Sequence, residues 1–483
     1  MPSVRRDERA ESADDAGRVR ILDVVDSGVD LDFRDLRMSL PRRQLLGIAA
    51  GSAAVAATAG VTAALTASGL RAQDKPTVLR FAWWGGAGRH EATLKALALF
   101  ERRHGVRVKA EYMGFNGYLE RLTTQIAGGS EPEVMQINWA WMAMFSKRGN
   151  GFADLNRFGR LLDLAQFDRE DLAYGDVAGK LNALPVSFSA RVMLWNQAAF
   201  DRAGLALPRT WDELFATGPA FRRILGENAY PLDGELYDMM LLSQAWVQQR
   251  HGMAYVDPAQ PRVAMNEAAA LDWVRTYKRL VTDHVATPLP LRASLGGAEK
   301  PTEQQPDWVV GRWAGNYTWD SVIALRASTL DKQQKLVLGE FPTLPGALDS
   351  GMFGRPTVMY AVSRHAEKNG RAEMAAKLVN FLLTDPEAAA LLGRTRGLPS
   401  ARGPYEQLKA AGKLPPLEVA AHEQIKVQRE SGRLKRPAPL FEHARLHKFM
   451  REVFETVAYN KTSDVDAARR LVTEGQALLQ RIK

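Results

Sequence analysis

Between residues 77 and 138 the hydrophobic pattern changes period four times. "TVLRFAWW" is a short apolar and aromatic run that reads as a strand. "RHEATLKALALFERRHG" follows with a period of about 3.6 residues, setting Leu94, Leu97 and Ala98 on one face, and Gly105 is placed to end the helix. "VRVKAEY" alternates strictly, so it is a second strand. Tyr118 to Ala127 is helical again, with Leu119, Leu122 and Ile126 on one face and "GG" behind it, and "EVMQIN" is a short buried strand. The order β-α-β-α-β predicts a parallel sheet with helices on both faces, and ligands of such sheets bind beyond the carboxyl ends of the strands. Later segments extend the pattern. Val186 to Trp195 reads as a strand, Thr210 and Glu213 have capping-box spacing, and Asp385 and Pro386 open a helix. Leu446, Phe449, Met450, Val453, Phe454 and Val457 form one helical stripe, read as packing, and a last helix runs to Ile482.

Two of the predicted strand ends carry tryptophan, Trp84 and Trp139, with Asn138 and Trp141 beside the second. Flat aromatic faces there suit the apolar side of a sugar ring, and an amide offers both donor and acceptor. A tryptophan after a strand is equally at home as half-buried packing.

Composition narrows the chemistry. At 483 residues, 46% hydrophobic and 25% charged, the chain is long enough for two or three domains. The absence of cysteine excludes disulfides, thiolate metal sites, a cysteine nucleophile and a lipid anchor on cysteine. Arg42 and Arg43 precede a long Ala/Gly-rich uncharged run closing near Ala67 to Ala72, which reads as a twin-arginine export signal; the run is weakly apolar for a membrane anchor of that length. The mixed-charge segment before Met38 has no sustained apolar period, so translation is expected to start at Met38. Residues 1–72 hold 10 basic and 10 acidic residues, leaving the net charge of +9 on the exported portion. Without lysine-rich tracts or a ladder of aromatics for single strands, that charge suits a small anionic ligand better than nucleic acid. No HExxH, GxSxG or metal-spaced cluster appears, and "WWGGAGRHE" lacks the pattern of a phosphate loop. Glu131 with Glu133, and Asp168, Glu170 and Asp171, are paired carboxylates in polar segments at helix starts, where solvated or capping roles are expected.

Two longer stretches, "GKLNALPVSFSARVMLWNQAAFDRAGLALPRTWDEL" and "AAKLVNFLLTDPEAAALLGRTRGLPS", resemble the lobe crossover and a helical signature of the family 1 extracellular solute-binding proteins of carbohydrate ABC transporters. "WWGGAGRHEATLKALALFERRHGVRVKAEYMGFNGYLERLTTQIAGGSEPEVMQINWAWM" and "GRWAGNYTWDSVIALR" are similar to the branch of oligogalacturonide-binding periplasmic proteins, and the likeness runs through nearly all of residues 78–483. The segment Asp233 to His251 departs from the branch pattern.

The resemblance implies an α/β, two-lobed periplasmic binding protein (venus-flytrap) fold with parallel-type sheets flanked by helices and a helical C-terminal segment. Residues 1–72 would be the leader, 73–188 and 358–400 lobe 1, and 189–357 and 401–483 lobe 2, with chain crossings near Ser187 to Arg191 and Pro356 to Ala361. It implies a monomeric periplasmic protein, without cofactor or metal, that closes on an acidic oligosaccharide and delivers it to ABC permease subunits. The alternative is a secreted polysaccharide lyase or glycoside hydrolase. Trp84, Trp139, Trp141 and Trp319, with Tyr112 and Phe115, are the expected aromatic platform, and Asn138 and Tyr317 its polar edge. Arg191 and Arg355 are expected to grip the carboxylate with a planar fork, and Arg89 and His90 to donate from lobe 1.

Overall fold

In the computed structural model, which describes residues 77–482, the first strand, β1 (Val78–Trp84), already divides the molecule. Its side chains alternate, so Leu79, Phe81 and Trp83 enter one core cluster while Ala82 and Trp84 enter another on the opposite face. The first cluster is covered by α1 (Ala87–His104), which buries Ala92, Thr93, Ala96, Leu97 and Phe100. Leu94, expected to face inward, is 38% exposed, because the stripe is set by Phe100 and Leu97. Gly105 ends α1 at φ 63°, a left-handed position that glycine takes without strain. The strand β2 (Arg107–Met113), the helix α2 (Tyr118–Ala127) and the wholly buried β3 (Val134–Ile137) follow as expected. The expected leader, twin-arginine run and start at Met38 lie outside the described residues.

A two-residue ribbon, β4 (Asp176–Val177) and β5 (Lys180–Leu181), leads to the 13-residue β6 (Leu184–Asn196); β7 (Gly315–Trp319), β8 (Leu336–Leu338) and β9 (Gly354–Val362) complete the strands. The main sheet has the order β2-β1-β3-β9-β6-β7, with β8 also on β6. The fold is α/β, a sheet flanked by many helices. Only half of its sheet is parallel, however. β1 runs parallel to β2 and β3, whereas β9 is antiparallel to β3 and β6, and β6 is antiparallel to β7 and β8. The expectation of parallel-type sheets throughout is corrected accordingly. Segments that would run parallel in the second half survive as isolated bridges, Tyr230 to Trp313 and Leu232 to Ala286. Pro231 between them has no N–H to extend a ladder.

The long strand β6 serves both halves. Leu184 to Ala190 pairs with β9, and Arg191 to Trp195 pairs with β7. Between Pro185 and Phe188 the register slips, so the strand bends between its two sets of partners. Thr210 and Glu213 form the expected capping box, and Asp385 caps the helix Pro386–Leu392. The helix Ala444–Ala458 buries Leu446, Met450, Val453, Phe454 and Val457, the stripe read from the sequence, with Phe454 5.3 Å or less from Trp273 and Tyr277. The helix Arg402–Ala410 buries Tyr405 and Leu408 and packs on Pro386–Leu392 and Ala372–Thr384. No helix among the described residues is long and apolar enough to cross a membrane.

Candidate functional site

At the carboxyl ends of β1 and β3 four aromatic rings gather. Trp84 ends β1, and its ring centroid lies 5.1 Å from Tyr118, 5.3 Å from Trp141 and 5.7 Å from Phe115. Trp141 lies near-parallel to Phe115 at 6.3 Å and to Tyr118 at 6.1 Å. Trp84 and Trp141 are 8% and 9% exposed, while Phe115 is 48% exposed, so Phe115 is the outward ring of a supported stack. Tyr118 is buried at the N-terminus of α2, and its hydroxyl donates to the Gln136 carbonyl at 2.9 Å. The sequence pattern places Tyr118 only at a helix start. Gly117 before it, at φ 80°, is the signal that the chain turns sharply there.

The other residues expected in the first lobe are divided between elements. Trp139 is 2% exposed and packs edge-on against Tyr174 at 5.5 Å, a core position. Asn138 caps the short turn Trp139–Trp141 by accepting the Ala140 N–H at 3.0 Å. Tyr112 and His90 sit with Trp83, on the face opposite the Trp84 group: Tyr112 stacks on Trp83 at 5.0 Å and on His90 at 4.4 Å, and the Trp83 indole N–H donates to His90 Nδ1 at 3.0 Å. Period-2 alternation sends adjacent tryptophans to opposite faces, which separates these two groups. Arg89 donates to the carbonyls of Thr395 and Trp84, at 2.8 and 3.0 Å, and so holds the end of β1.

The second group is centred on Trp319, the last residue of β7. The guanidinium carbons of Arg191 and Arg355 lie 4.9 and 4.8 Å from its ring centroid. Strand pairing places Arg191 opposite Trp319, and Ser189 opposite Arg355. Both arginines are already paired within the protein, Arg191 with Asp238 and Arg355 with Glu442. They are 4% and 8% exposed. Burial pushes the Asp238 carboxyl up to about 7, against the pull of Arg191. Tyr237 and Tyr317 flank Arg191 at 5.5 and 5.8 Å, and Tyr317 is fully buried. His447 packs on Tyr237 at 4.5 Å, and burial beside Arg451 holds it down to about 4. Asp238 and Tyr237 open the helix Leu236–His251, in the stretch that departs from the branch pattern. Most of that helix is core, so its N-terminal end alone reaches this group. Glu442 follows no legible motif, because it comes from a distant segment.

The two groups share a wall. The turn Trp139–Trp141 packs against Pro439–Glu442, which carries Phe441 against Phe353 at 5.5 Å and Glu442 on Arg355. Phe353 in turn meets Trp319 edge-on at 5.8 Å. Two cavities of about 10 and 40 Å³ are lined by none of Trp84, Trp141 and Trp319, and of the first group only Phe115 is exposed.

Of the paired carboxylates expected to be solvated or capping, Glu133 and Asp171 are instead buried and ion-paired. Glu133 is fully buried, receiving Arg371 at 2.8 Å and the Arg80 N–H at 2.7 Å. Asp171 meets Arg429 at 2.8 Å and is raised to about 6 by burial. Glu131 accepts the His365 N–H at 3.2 Å, and Asp168 keeps the expected position before a short helix. Arginines from later segments make burial tolerable, a pairing that local polarity does not show. Among the described residues no group of three or more His, Asp or Glu could hold a metal ion.

The family model of the bacterial extracellular solute-binding proteins matches residues 86–389. The chain belongs to that family. This solute-binding protein is 37% identical to a periplasmic oligogalacturonide binding protein from Yersinia enterocolitica, with a TM-score of 0.76 over 84% of this chain and 100% of the other. The Yersinia protein has also been solved in complex with saturated digalacturonic acid. A chain described as a de novo designed cysteine esterase is 36% identical, with a TM-score of 0.79 over 84% of this chain and 99% of its own. A putative binding protein from Brucella abortus is 25% identical over 193 residues, 38% of this chain and 44% of the relative, so the match spans less than half the length of that relative.

Proposed function

We propose that this solute-binding protein captures acidic oligosaccharides, oligogalacturonides in the first instance, and presents them to the membrane permease of an ABC importer. The observation that carries the reading is the pair of guanidinium groups over Trp319, facing the same wall as the Trp84 stack. A uronate needs both an apolar surface for its ring and a cation for its carboxylate. The likeness to the Yersinia protein points to the same ligand class.

In this mechanism Phe115, backed by Trp84 and Trp141, takes the sugar face from the first lobe. Arg355 takes the carboxylate from the second. Arg191 lies deeper and is held by Asp238, so it positions Trp319 and supplies field rather than a fork. The carboxylate of the ligand exchanges for Glu442 on Arg355, replacing one charged partner by another. Closure follows because ligand touching both lobes binds the closed form better than the open one. The bend of β6 between Pro185 and Phe188, beside β9, is the proposed crossing. The protein acts in the periplasm as a monomer, without cofactor, exported through the twin-arginine run.

The enzyme alternative has less support. The chain has no cysteine, so it cannot supply the nucleophile of a cysteine esterase, and of the carboxylates considered for glycan cleavage Glu133, Asp168 and Asp171 are paired with arginine. Incubating the protein with digalacturonate, while following tryptophan fluorescence and the absorbance of unsaturated product, separates the two. A saturable fluorescence change without product is expected. Turnover would assign an enzyme.

A further inference from the structure

Five arginines are buried among the described residues, and four have an acid partner: Arg191 with Asp238, Arg292 with Asp233, Arg355 with Glu442, and Arg429 with Asp171. The fifth, Arg396, is 6% exposed and meets no carboxylate among the described residues. Its Nε donates to Gln136 Oε1 at 2.8 Å and its Nη2 to Thr93 Oγ1 at 2.9 Å, both neutral. Its Nη1 has no hydrogen-bond partner. Neither does the hydroxyl of Tyr360, a fully buried residue opposite Gln136 whose ring centroid lies 5.8 Å from the Arg396 guanidinium.

A second cation makes the arrangement costlier. Arg89 has no acid partner among the described residues, and burial, then the nearby Arg396, lower its pKa to about 10. Unpaired buried charge and unpaired buried donors both oppose folding, and such groups are ordinarily matched by something.

Beside these groups is a cavity of about 40 Å³, with Tyr360, Thr395 and Arg396 in its wall and Val186, Leu392 and Pro399 among its apolar contacts. It has room for a few waters or one small anion and is too small for a sugar ring. The wall belongs to the loop after Leu392. Gly397, at φ 92°, brings that loop within 3.1 Å of Ser187 for any added Cβ, and Pro399 bridges to Ser187 on the bend of β6.

We propose that Arg396 and Tyr360 bind a free monovalent anion of the size of chloride or formate in this cavity, separate from the sugar site. The anion accepts from Arg396 Nη1 and the Tyr360 hydroxyl, neutralises the cation pair and braces the loop against β6. The site does not depend on the oligogalacturonide reading, since its donors face the opposite side of the sheet from the Trp84 stack.

The test is thermal unfolding of the full protein in increasing chloride, and separately formate, with ionic strength held constant by gluconate. The wild type should show a saturable rise in Tm of about 2–4 °C. Arg396→Met should abolish it, and Tyr360→Phe, which keeps the ring, should move its midpoint severalfold higher in anion. A crystal soaked in bromide should show anomalous density at hydrogen-bond distance from Arg396 Nη1. A rise without saturation, an equal rise in Arg396→Met, or no bromide at Arg396, which would leave water only, overturns the proposal. Should Arg396→Met fail to fold, an unchanged midpoint in Tyr360→Phe overturns it. Displacement of bromide by digalacturonate would overturn it as well, because the cavity would then belong to the sugar site.

Discussion

Adjacent tryptophans in this chain have opposite fates. Trp83 is fully buried on the α1 face while Trp84 joins the outward stack, and Trp139 is core while Trp141 supports Phe115. The residue types and their clustering at strand ends were legible in the sequence. Alternation along β1 sets the faces of Trp83 and Trp84, whereas Trp139 and Trp141 sit on one short turn and are separated by the segments that pack on it later. Phe115→Ala should therefore weaken digalacturonate binding about 10-fold or more with little change in Tm, as expected for loss of one stacking surface. Trp139→Ala should do the reverse, costing about 3–5 kcal/mol of stability, as for a large core ring. Titration and urea unfolding of both variants check this, and a stability loss alone in Phe115→Ala would remove that ring from the site. The arginines divide similarly. Arg191→Ala strands the buried Asp238 carboxylate and should cost about 3–5 kcal/mol of stability, largely recovered in a double variant with Asp238→Leu. Arg355→Ala should lose affinity for uronate, and Arg355→Lys should lose part of it, because a point charge cannot reproduce the fork. The arginines were identifiable from sequence as candidates. Their partners were not, since Glu442 and Asp238 come from segments far along the chain with no shared motif.

Among elements, the parallel half of the sheet was readable because strand and helix periods alternate in short units. The antiparallel half was not, because β6 and β9 are long strands whose partners return from distant segments. The joint between the halves carries an ionisable group. Asp320, just after β7, accepts from the Ser189 hydroxyl and from the Ala190 N–H at 3.2 Å, and burial raises it to about 7. An unfolded aspartate titrates near 4, so between about pH 4 and 7 the folded state holds a proton that the unfolded state lacks. Stability from this group is therefore greatest at the acidic end of that window and falls as pH rises toward 7. Asp320→Asn should remove the fall, gaining about 1–3 kcal/mol relative to the parent on going from about pH 5 to about pH 7.5, as read by urea unfolding. His447 and His422, both lowered to about 4 chiefly by burial, act with the opposite sign, losing stability as pH drops below about 6.5. The difference between variant and parent isolates Asp320 from them. A difference independent of pH would return Asp320 to an ordinary ionised acid.

At the scale of the molecule, composition excludes thiol chemistry and favours an anionic ligand, and the family likeness in the sequence implies two lobes. A residue-by-residue site was beyond it, because the aromatic stack and the arginine pair meet only where the segments around Trp139 and Glu442 pack together. The net charge of +9 is a separate matter from the site. If it alone attracted uronates, affinity would fall steeply with salt. An ion pair enclosed by closed lobes is poorly screened, so raising salt from about 0.05 to 0.3 M should weaken binding by less than about threefold. Whether this solute-binding protein closes on an acidic oligosaccharide is measured by calorimetric competition between digalacturonate and its neutral counterpart. One saturable site per chain is expected, with a dissociation constant near 1 μM, corresponding to about 8 kcal/mol, and no displacement by the neutral disaccharide at about 100-fold excess. Equal or tighter binding of the neutral sugar would contradict this.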